Sequence, residues 1–134
     1  MRNALNVGDH TWSFENQTSY NALNADEQQT VIHLLPHLIN NYRILIYTGN
    51  VDLNCNVLGV DNYLNLLPWS DFNKWYTSPR VMWNVDGTLA GYARNLDNLT
   101  NLVVRNAGHE VPYFQPKNAL DLFRRFVQNI PFNQ

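Results

Sequence analysis

Hydrophobic residues fall along the chain in short continuous runs and in helix-like spacings. Residues 44–47 and 102–104 are apolar and rich in branched side chains, which is typical of strands covered on both faces of a sheet. Residues 81–85 and 88–92 flank the dipeptide Asp86-Gly87. This dipeptide favours a type I′ turn, because both central residues of that turn need a positive φ. The pattern therefore predicts a sheet that contains one β-hairpin.

Apolar residues at helical spacing predict two helices before the hairpin. Asn24 and Glu27 have the spacing of a capping box, and they precede a periodic set made of Val31, Ile32, Leu34, Leu35 and Leu38. Pro36 is expected to kink or end that helix. A second amphipathic helix, which should end at Pro68, is predicted through Val57, Tyr63, Leu64 and Leu67.

A third helix is predicted near the end of the chain, over residues 116–128. Its apolar side is formed by Leu120, Phe123, Phe126 and Val127, and Arg124 and Arg125 are expected to point outward. Residues 1–24 are expected to be largely irregular, and residues 68–80 form a loop rich in tryptophan, serine and proline. The order strand, helix, hairpin, strand, helix is that of an α/β protein.

Length and composition limit what this chain can be. It has 134 residues, of which 45% are hydrophobic, so it is long enough for one domain with a buried core. The net charge of −2 gives no reason to expect nucleic acid or an anionic membrane as a partner. No apolar run has the roughly 18 residues of a membrane span.

Two polar residues follow the two buried strands. Asp52 comes after the run at 44–47, and His109 comes after the run at 102–104. In open α/β sheets, functional side chains lie on loops past the carboxyl ends of strands, and a carboxylate there can orient an imidazole that acts as a general base. A turn-forming aspartate and a structural loop histidine are the alternative interpretation of the same two residues.

Longer motifs around these residues resemble those of a known family. Residues 44–56, Ile-Leu-Ile-Tyr-Thr-Gly-Asn-Val-Asp-Leu-Asn-Cys-Asn, resemble the acid-bearing motif of the serine carboxypeptidases. Residues 104–112, Val-Arg-Asn-Ala-Gly-His-Glu-Val-Pro, resemble the histidine motif of that family. Trp83 and residues 87–92 are similar to its hairpin, and residues 2–7 with Trp12 are similar to the segment where its cap region returns to the sheet. The resemblance covers almost the whole chain.

The resemblance implies that residues 1–134 are one C-terminal segment of an α/β-hydrolase fold, with central strands, flanking helices and a hairpin. It implies that Asp52 is the triad acid and His109 the triad base. Cys55 matches a free thiol that lies beside the substrate pocket in many members, although it could also be a small buried hydrophobe. Glu110 could favour a basic substrate side chain, or it could be a solvated glutamate.

The nucleophile of this family is absent from the sequence. Its serine lies in a G-x-S-x-G turn, whereas the four serines here, Ser13, Ser19, Ser70 and Ser78, have no glycine neighbours. We therefore expect the partner to be an N-terminal chain or segment that carries the serine, and we expect this chain to be inactive alone. The chain is then the smaller part of a two-chain enzyme, a truncated product that Met1 would suit, or a relic with a binding role.

The resemblance leaves several activities open. Release of C-terminal residues from peptides is the expected reaction of the complete protein, with no cofactor and no metal. The same scaffold could serve an acyltransferase or a hydroxynitrile lyase, or the chain could be a non-catalytic binding fragment. His33 and His37 have a spacing that can bind zinc on a helix, but Pro36 lies between them and no acidic or thiol ligand is near. A homodimer is a further arrangement to consider.

Two sequons bear on the compartment. Asn16-Gln17-Thr18 and Asn98-Leu99-Thr100 are acceptors for N-glycosylation, or chance triplets in a chain rich in asparagine. They favour a lysosomal, vacuolar or secreted protein, in agreement with the resemblance. The first residues lack the apolar core of a signal peptide, which by itself would indicate a cytosolic protein. The single cysteine, Cys55, cannot form an internal disulfide and does not decide the question.

Overall fold

The computed structural model describes residues 4, 6, 8, 9, 11 and 13–134. Its internal contacts divide the chain into two compact units, residues 1–31 and residues 32–134. The resemblance noted at residues 2–7 and Trp12 falls largely on positions outside the described residues.

The first unit contains one described helix, α1, over Gln17–Glu27. Asn16 caps it, because its Oδ1 accepts a hydrogen bond from the backbone N–H of Ser19 at 3.0 Å. No side chain of α1 is buried. The expectation of irregular chain is therefore wrong over residues 17–24, because a polar cap starts this helix and no apolar stripe marks it. Asn24 lies inside α1 and does not cap the next helix.

The second unit contains four strands and five α-helices within its described residues. After a 3₁₀ turn at Ile32–Leu34, the elements in chain order are α2 (Leu35–Asn41), β1 (Ile44–Gly49), α3 (Val57–Asn65), α4 (Phe72–Thr77), β2 (Arg80–Val85), β3 (Thr88–Leu96), β4 (Leu99–Val104), α5 (Val111–Phe114) and α6 (Pro116–Gln128). The α/β class and the bounds of α6 are as predicted from the sequence. Pro36 lies in the first turn of α2, so it begins a helix that it was expected to kink or end. The loop predicted at 68–80 contains the short helix α4.

The strands form one sheet in the order β1-β4-β3-β2. β1 pairs with β4 in parallel, whereas β2, β3 and β4 pair antiparallel. The turn between β2 and β3 has φ of 49° at Asp86 and 75° at Gly87, which confirms the hairpin. The parallel pair brings the carboxyl ends of β1 and β4 to the same edge of the sheet.

Two hydrophobic clusters cover the faces of this sheet. Because side chains alternate along a strand, Leu102 and Val104 of β4 face one cluster, with Trp83 and Leu122, and Leu99 faces the other. The second cluster contains Trp69 and Trp75, whose ring centroids are 6.2 Å apart. All three of these tryptophans are buried, so they belong to the core.

Helix α6 turns a different face to the core than its apolar pattern indicated. Leu122 is buried, whereas Leu120, Phe123 and Val127 are 70%, 63% and 56% exposed. Arg125 was expected to point outward, but its side chain is mostly covered and pairs with Asp121 at 2.6 Å. The apolar side predicted from the sequence is thus largely open in this chain. Among the described residues, no helix is long and apolar enough to cross a membrane.

Candidate active site

The loops after β1 and β4 meet at the edge where the two strands end. The backbone N–H of Asn50 donates to the carbonyl of Val104 at 2.9 Å, and that of Val51 donates to the carbonyl of Ala107 at 3.1 Å. Gly49 allows this contact, because a Cβ there would lie 2.2 Å from the Ala107 carbonyl oxygen. Only glycine permits so close an approach of two backbones.

This contact brings together the two residues that follow the buried strands. The Nδ1 atom of His109 lies 2.9 Å from Oδ2 of Asp52, although the two residues are far apart in sequence. The other carboxylate oxygen, Oδ1, accepts hydrogen bonds from the backbone N–H groups of Asn54 at 2.9 Å and Cys55 at 3.1 Å. Asp52 therefore fixes Nδ1 of the ring as the protonated nitrogen, and the second nitrogen, Nε2, is left to act as a base.

Burial differs sharply between the two partners. Asp52 is 8% exposed, whereas the side chain of His109 is 61% exposed. The hydrogen bond from His109 lowers the pKa of Asp52 below its ordinary value of 3.8, and the N–H groups of Cys55 and Asn54 act in the same direction. Burial opposes this shift without reversing it. The carboxylate is consequently ionised over the whole physiological range, with its ring partner open to a substrate.

Cys55 lies beside this pair. The ligand atoms of Asp52, Cys55 and His109 all lie within 4.8 Å of one another, and Cys55 is exposed. No other group of three metal-binding side chains occurs in the described part of the chain, so His33 and His37 are not part of one. A zinc ion could use these three ligand types. It would have to replace the hydrogen bond between Asp52 and His109, so the arrangement favours an acid–base pair over a metal centre.

Glu110 follows His109 and is exposed. Its backbone carbonyl accepts hydrogen bonds from the N–H groups of Tyr113 and Phe114, the last two residues of α5. Its carboxylate has no hydrogen-bonding or ionic partner among the described residues and is free to meet a ligand. A role in binding substrate stays a prediction.

Within the second unit, neither Ser70 nor Ser78 is hydrogen-bonded to His109. Ser70 and Ser78 bond to the Asp71 carboxylate and the Trp75 carbonyl, and Ser13 bonds to the Glu15 carbonyl. Two surface hollows of about 420 and 570 Å³ occur in the second unit, and neither is lined by Asp52 or His109. Of the acid–base pair, the His109 side chain is 61% exposed and Asp52 is buried.

The two sequons differ in their surroundings. Asn16 is exposed and caps α1 through its Oδ1. Asn98 is partly buried, and its Nδ2 donates to the carbonyl of Ile39 at 2.9 Å. Thr100 is 8% exposed, and its hydroxyl donates to Asn95 at 2.6 Å. Only Asn16 presents its amide as an accessible sequon would.

Asn50 and Asn106 also contribute to the site, although neither was predicted from the sequence as a site residue. Oδ1 of Asn50 accepts a hydrogen bond from the backbone N–H of Asn106 at 2.7 Å. Asn106 has a φ of 56°, a conformation in which asparagine is enriched among non-glycine residues. Its position after a buried strand was the one available signal.

Known proteins match almost the whole of this chain. Residues 1–129 match the family model described as serine carboxypeptidase. A venom serine carboxypeptidase of Apis mellifera is 41% identical over 98% of this chain, and a serine carboxypeptidase-like protein of Arabidopsis thaliana is 36% identical over 96% of it. This chain belongs to the serine carboxypeptidase family.

A solved structure extends the comparison to the fold. A prohormone-processing carboxypeptidase from Saccharomyces cerevisiae superposes with a TM-score of 0.62 over 73% of this chain, at 27% identity. The fold is that of the α/β-hydrolases. The chain covers 28% and 26% of the Apis and Arabidopsis relatives and 22% of the yeast chain. It thus spans about a quarter of the length of the proteins that it matches.

Proposed function

We propose that this chain completes a serine-type carboxypeptidase, which releases C-terminal residues from peptides. His109 is the general base, Asp52 orients it, and the nucleophilic serine lies on an N-terminal chain or segment. The observation that carries the proposal is the 2.9 Å contact between His109 and Asp52, at the carboxyl ends of two neighbouring strands. Family membership supports the reaction class.

The chemistry follows from the position of the two ring nitrogens. As the serine hydroxyl attacks the carbonyl carbon of the last peptide bond, Nε2 of His109 takes its proton. The ring then donates this proton to the leaving amine, and an acyl-enzyme remains. Water attacks the ester, Nε2 takes a proton from it, and that proton returns to the serine. The imidazolium that forms twice is stabilised by the Asp52 carboxylate. No cofactor or metal takes part.

The serine-bearing partner is expected to cover β1 and α6. Among the strands that the structure describes, β1 pairs only with β4, so its other edge offers unpaired backbone groups. Beside it lies the apolar hollow of about 570 Å³, lined by Tyr47, Leu120 and Phe123 among others. A surface of this kind favours a protein partner. About three quarters of the length of each relative lies outside the part that this chain matches, and a segment of that length could supply this partner.

Cys55 and Glu110 are proposed to line the substrate pocket. The Cys55 thiol lies within 4.8 Å of the ligand atoms of the acid–base pair, but a serine and not this thiol is the nucleophile. The Glu110 carboxylate would favour a basic side chain near the scissile bond. We expect Glu110→Gln to lower kcat/KM for a C-terminal lysine roughly fivefold relative to leucine, which corresponds to about 1 kcal/mol for an exposed ion pair.

The complete protein is proposed to act in a lysosome, a vacuole or the secreted space. The accessible sequon at Asn16 supports this location, as does the Apis relative, which is named a venom protein. The peptide is the expected partner in catalysis, and neither nucleic acid nor a membrane span is part of the proposal.

Replacement of the base in the complete protein tests the function. We expect His109→Ala to lower kcat for an N-blocked dipeptide on the order of 10⁶-fold, with little loss of stability because the ring is 61% exposed. His37→Ala is the matched control, because His37 is an exposed histidine outside the site. Unchanged turnover in His109→Ala would overturn the proposal. Product analysis distinguishes a free amino acid, as proposed, from an acyl-transfer or lyase product.

A further inference from the structure

The loop that carries His109 is held at one point by two other parts of the chain. At Asn106 the backbone N–H donates to Oδ1 of Asn50 at 2.7 Å, and the carbonyl accepts a hydrogen bond from Nε2 of Gln115 at 3.0 Å. Asn50 belongs to the loop that carries the acid, and Gln115 precedes α6. The backbone N–H and the backbone carbonyl of Asn106 are thus bound by side chains from two different parts of the chain.

This arrangement requires a particular backbone conformation. Asn106 has a φ of 56°, which turns the chain sharply after β4 and aims its N–H and carbonyl in different directions. A non-glycine residue has a higher conformational energy in this left-handed region, and contacts with other residues must offset it. Gln115 is itself fixed, because its N–H donates to the carbonyl of Val111 at 2.8 Å.

The position of His109 depends on this turn. Its side chain is 61% exposed, so packing around the ring does little to hold it. Ala107, by contrast, is fully buried, and its carbonyl accepts the N–H of Val51. The backbone on the amino-terminal side of the histidine is therefore held firmly, while the ring itself is held by Asp52.

We propose that Asn50 and Gln115 are positioning residues. Their hydrogen bonds to the backbone N–H and carbonyl of Asn106, together called the clamp, hold this residue so that the His109 ring meets the Asp52 carboxylate. They act through the backbone and need not touch substrate. The consequence for turnover rests on the proposed function, but the consequence for the acid–base contact does not. A displacement of the base by about 1 Å costs on the order of 100-fold in rate, so the clamp matters for catalysis without contributing chemistry.

Titration of the Asp52 carboxyl group in the complete protein tests the clamp directly. The hydrogen bond from His109 lowers the pKa of Asp52, so any variant that moves the ring away should raise it towards the ordinary value. We expect this rise in Asn50→Ala and in Gln115→Ala, measured by the ¹³C chemical shift of the carboxyl carbon against pH. Asn84→Ala, an exposed asparagine of β2, is the control and should titrate like the parent.

Amide exchange separates positioning from a general loss of structure. We expect the Asn106 N–H to exchange faster in Asn50→Ala and at the parental rate in Asn50→Asp, which keeps an acceptor oxygen. If the alanine variant does not fold, exchange of the Asn106 N–H in Asn50→Asp still tests the clamp. Parental titration of Asp52 in Gln115→Ala together with parental exchange in a folded Asn50→Ala would overturn the clamp. So would fast exchange of this N–H in Asn50→Asp.

Activity of the complete enzyme gives an independent readout. We expect kcat to fall about 100-fold in Asn50→Ala with KM almost unchanged, and Asn50→Asp to recover most of that loss. If the parent protein has no carboxypeptidase activity, the proposed function fails, whereas the Asp52 titration still decides the clamp.

Discussion

Gly49 is the residue at which a single methyl group should damage both stability and the site. A Cβ at this position would lie 2.2 Å from the carbonyl oxygen of Ala107 and 2.4 Å from that of Gly108. Ordinary contact begins at 3.4 Å, so the shorter distance falls about 1.2 Å short of it. Both obstacles are backbone atoms, and they cannot swing aside as a flexible side chain would.

The required movement lies on the path between the acid and the base. To accept alanine, the loop with Ala107 must move away from the end of β1 by about 1 Å. That shift would lengthen the hydrogen bonds between the loops and carry His109 away from Asp52. We expect Gly49→Ala to lower the free energy of unfolding by about 1–3 kcal/mol, as for other overpacked sites, and to lower kcat of the complete enzyme about 100-fold.

Gly59 supplies a matched control in the same chain. It lies within α3, and a Cβ there would meet its nearest atom at 3.5 Å, an ordinary contact. Gly59→Ala should therefore raise the free energy of unfolding by up to about 1 kcal/mol, because alanine favours helix, and should leave turnover unchanged. Urea unfolding followed by tryptophan fluorescence compares both variants. A Gly49→Ala protein as stable and active as the parent would refute the close approach of the loops.

Three further predictions follow from the same structure. Because the folded-state pKa of Asp52 is lowered, its contribution to stability is present above the ordinary value of 3.8 and is lost as pH falls below it. Asp52→Asn should flatten this part of the stability curve in urea unfolding between about pH 2 and pH 6. In a secreting host, Asn16 should carry a glycan and Asn98 should not, as the mass change on deglycosylation of single Asn→Gln variants will show. The chain alone should be poorly stable and should aggregate or dimerise through its open apolar face, and a sharp two-state melt of a monomer in sedimentation-checked samples would contradict this.

The sequence predicted the elements whose local signals agree with their tertiary role. The Asp86-Gly87 turn and the apolar runs of β1 and β4 are local signals, and the structure has a turn and two strands there. The expectation that both strands are covered on both faces is wrong for β1, which is an edge strand with Tyr47 46% exposed. The bounds of α6 were also predicted, since a proline marks its start. The contact between Asp52 and His109 could be predicted from the sequence, because both residues follow parallel strands that end at the same edge of the sheet.

The remaining features depend on contacts that a linear pattern does not carry. Helix α1 was missed because a cap at Asn16 and not an apolar stripe marks it. The buried face of α6 was misassigned, because periodicity shows that Leu122 and Phe123 are apolar but not which of them meets the sheet. The hydrogen bond between Asn50 and Asn106 joins distant residues through a left-handed turn, and no spacing rule predicts such a pair.

Labelling of the active serine tests whether Asp52 and His109 serve a serine nucleophile on another chain or segment. The protein is purified from its source, treated with a fluorophosphonate, and the intact mass of every chain present is measured. We expect a labelled serine on a chain or segment other than residues 1–134, and no label when His109 is replaced by alanine. An unlabelled protein with no serine-bearing partner would contradict this expectation, and the pair formed by Asp52 and His109 would then have no acyl-transfer role.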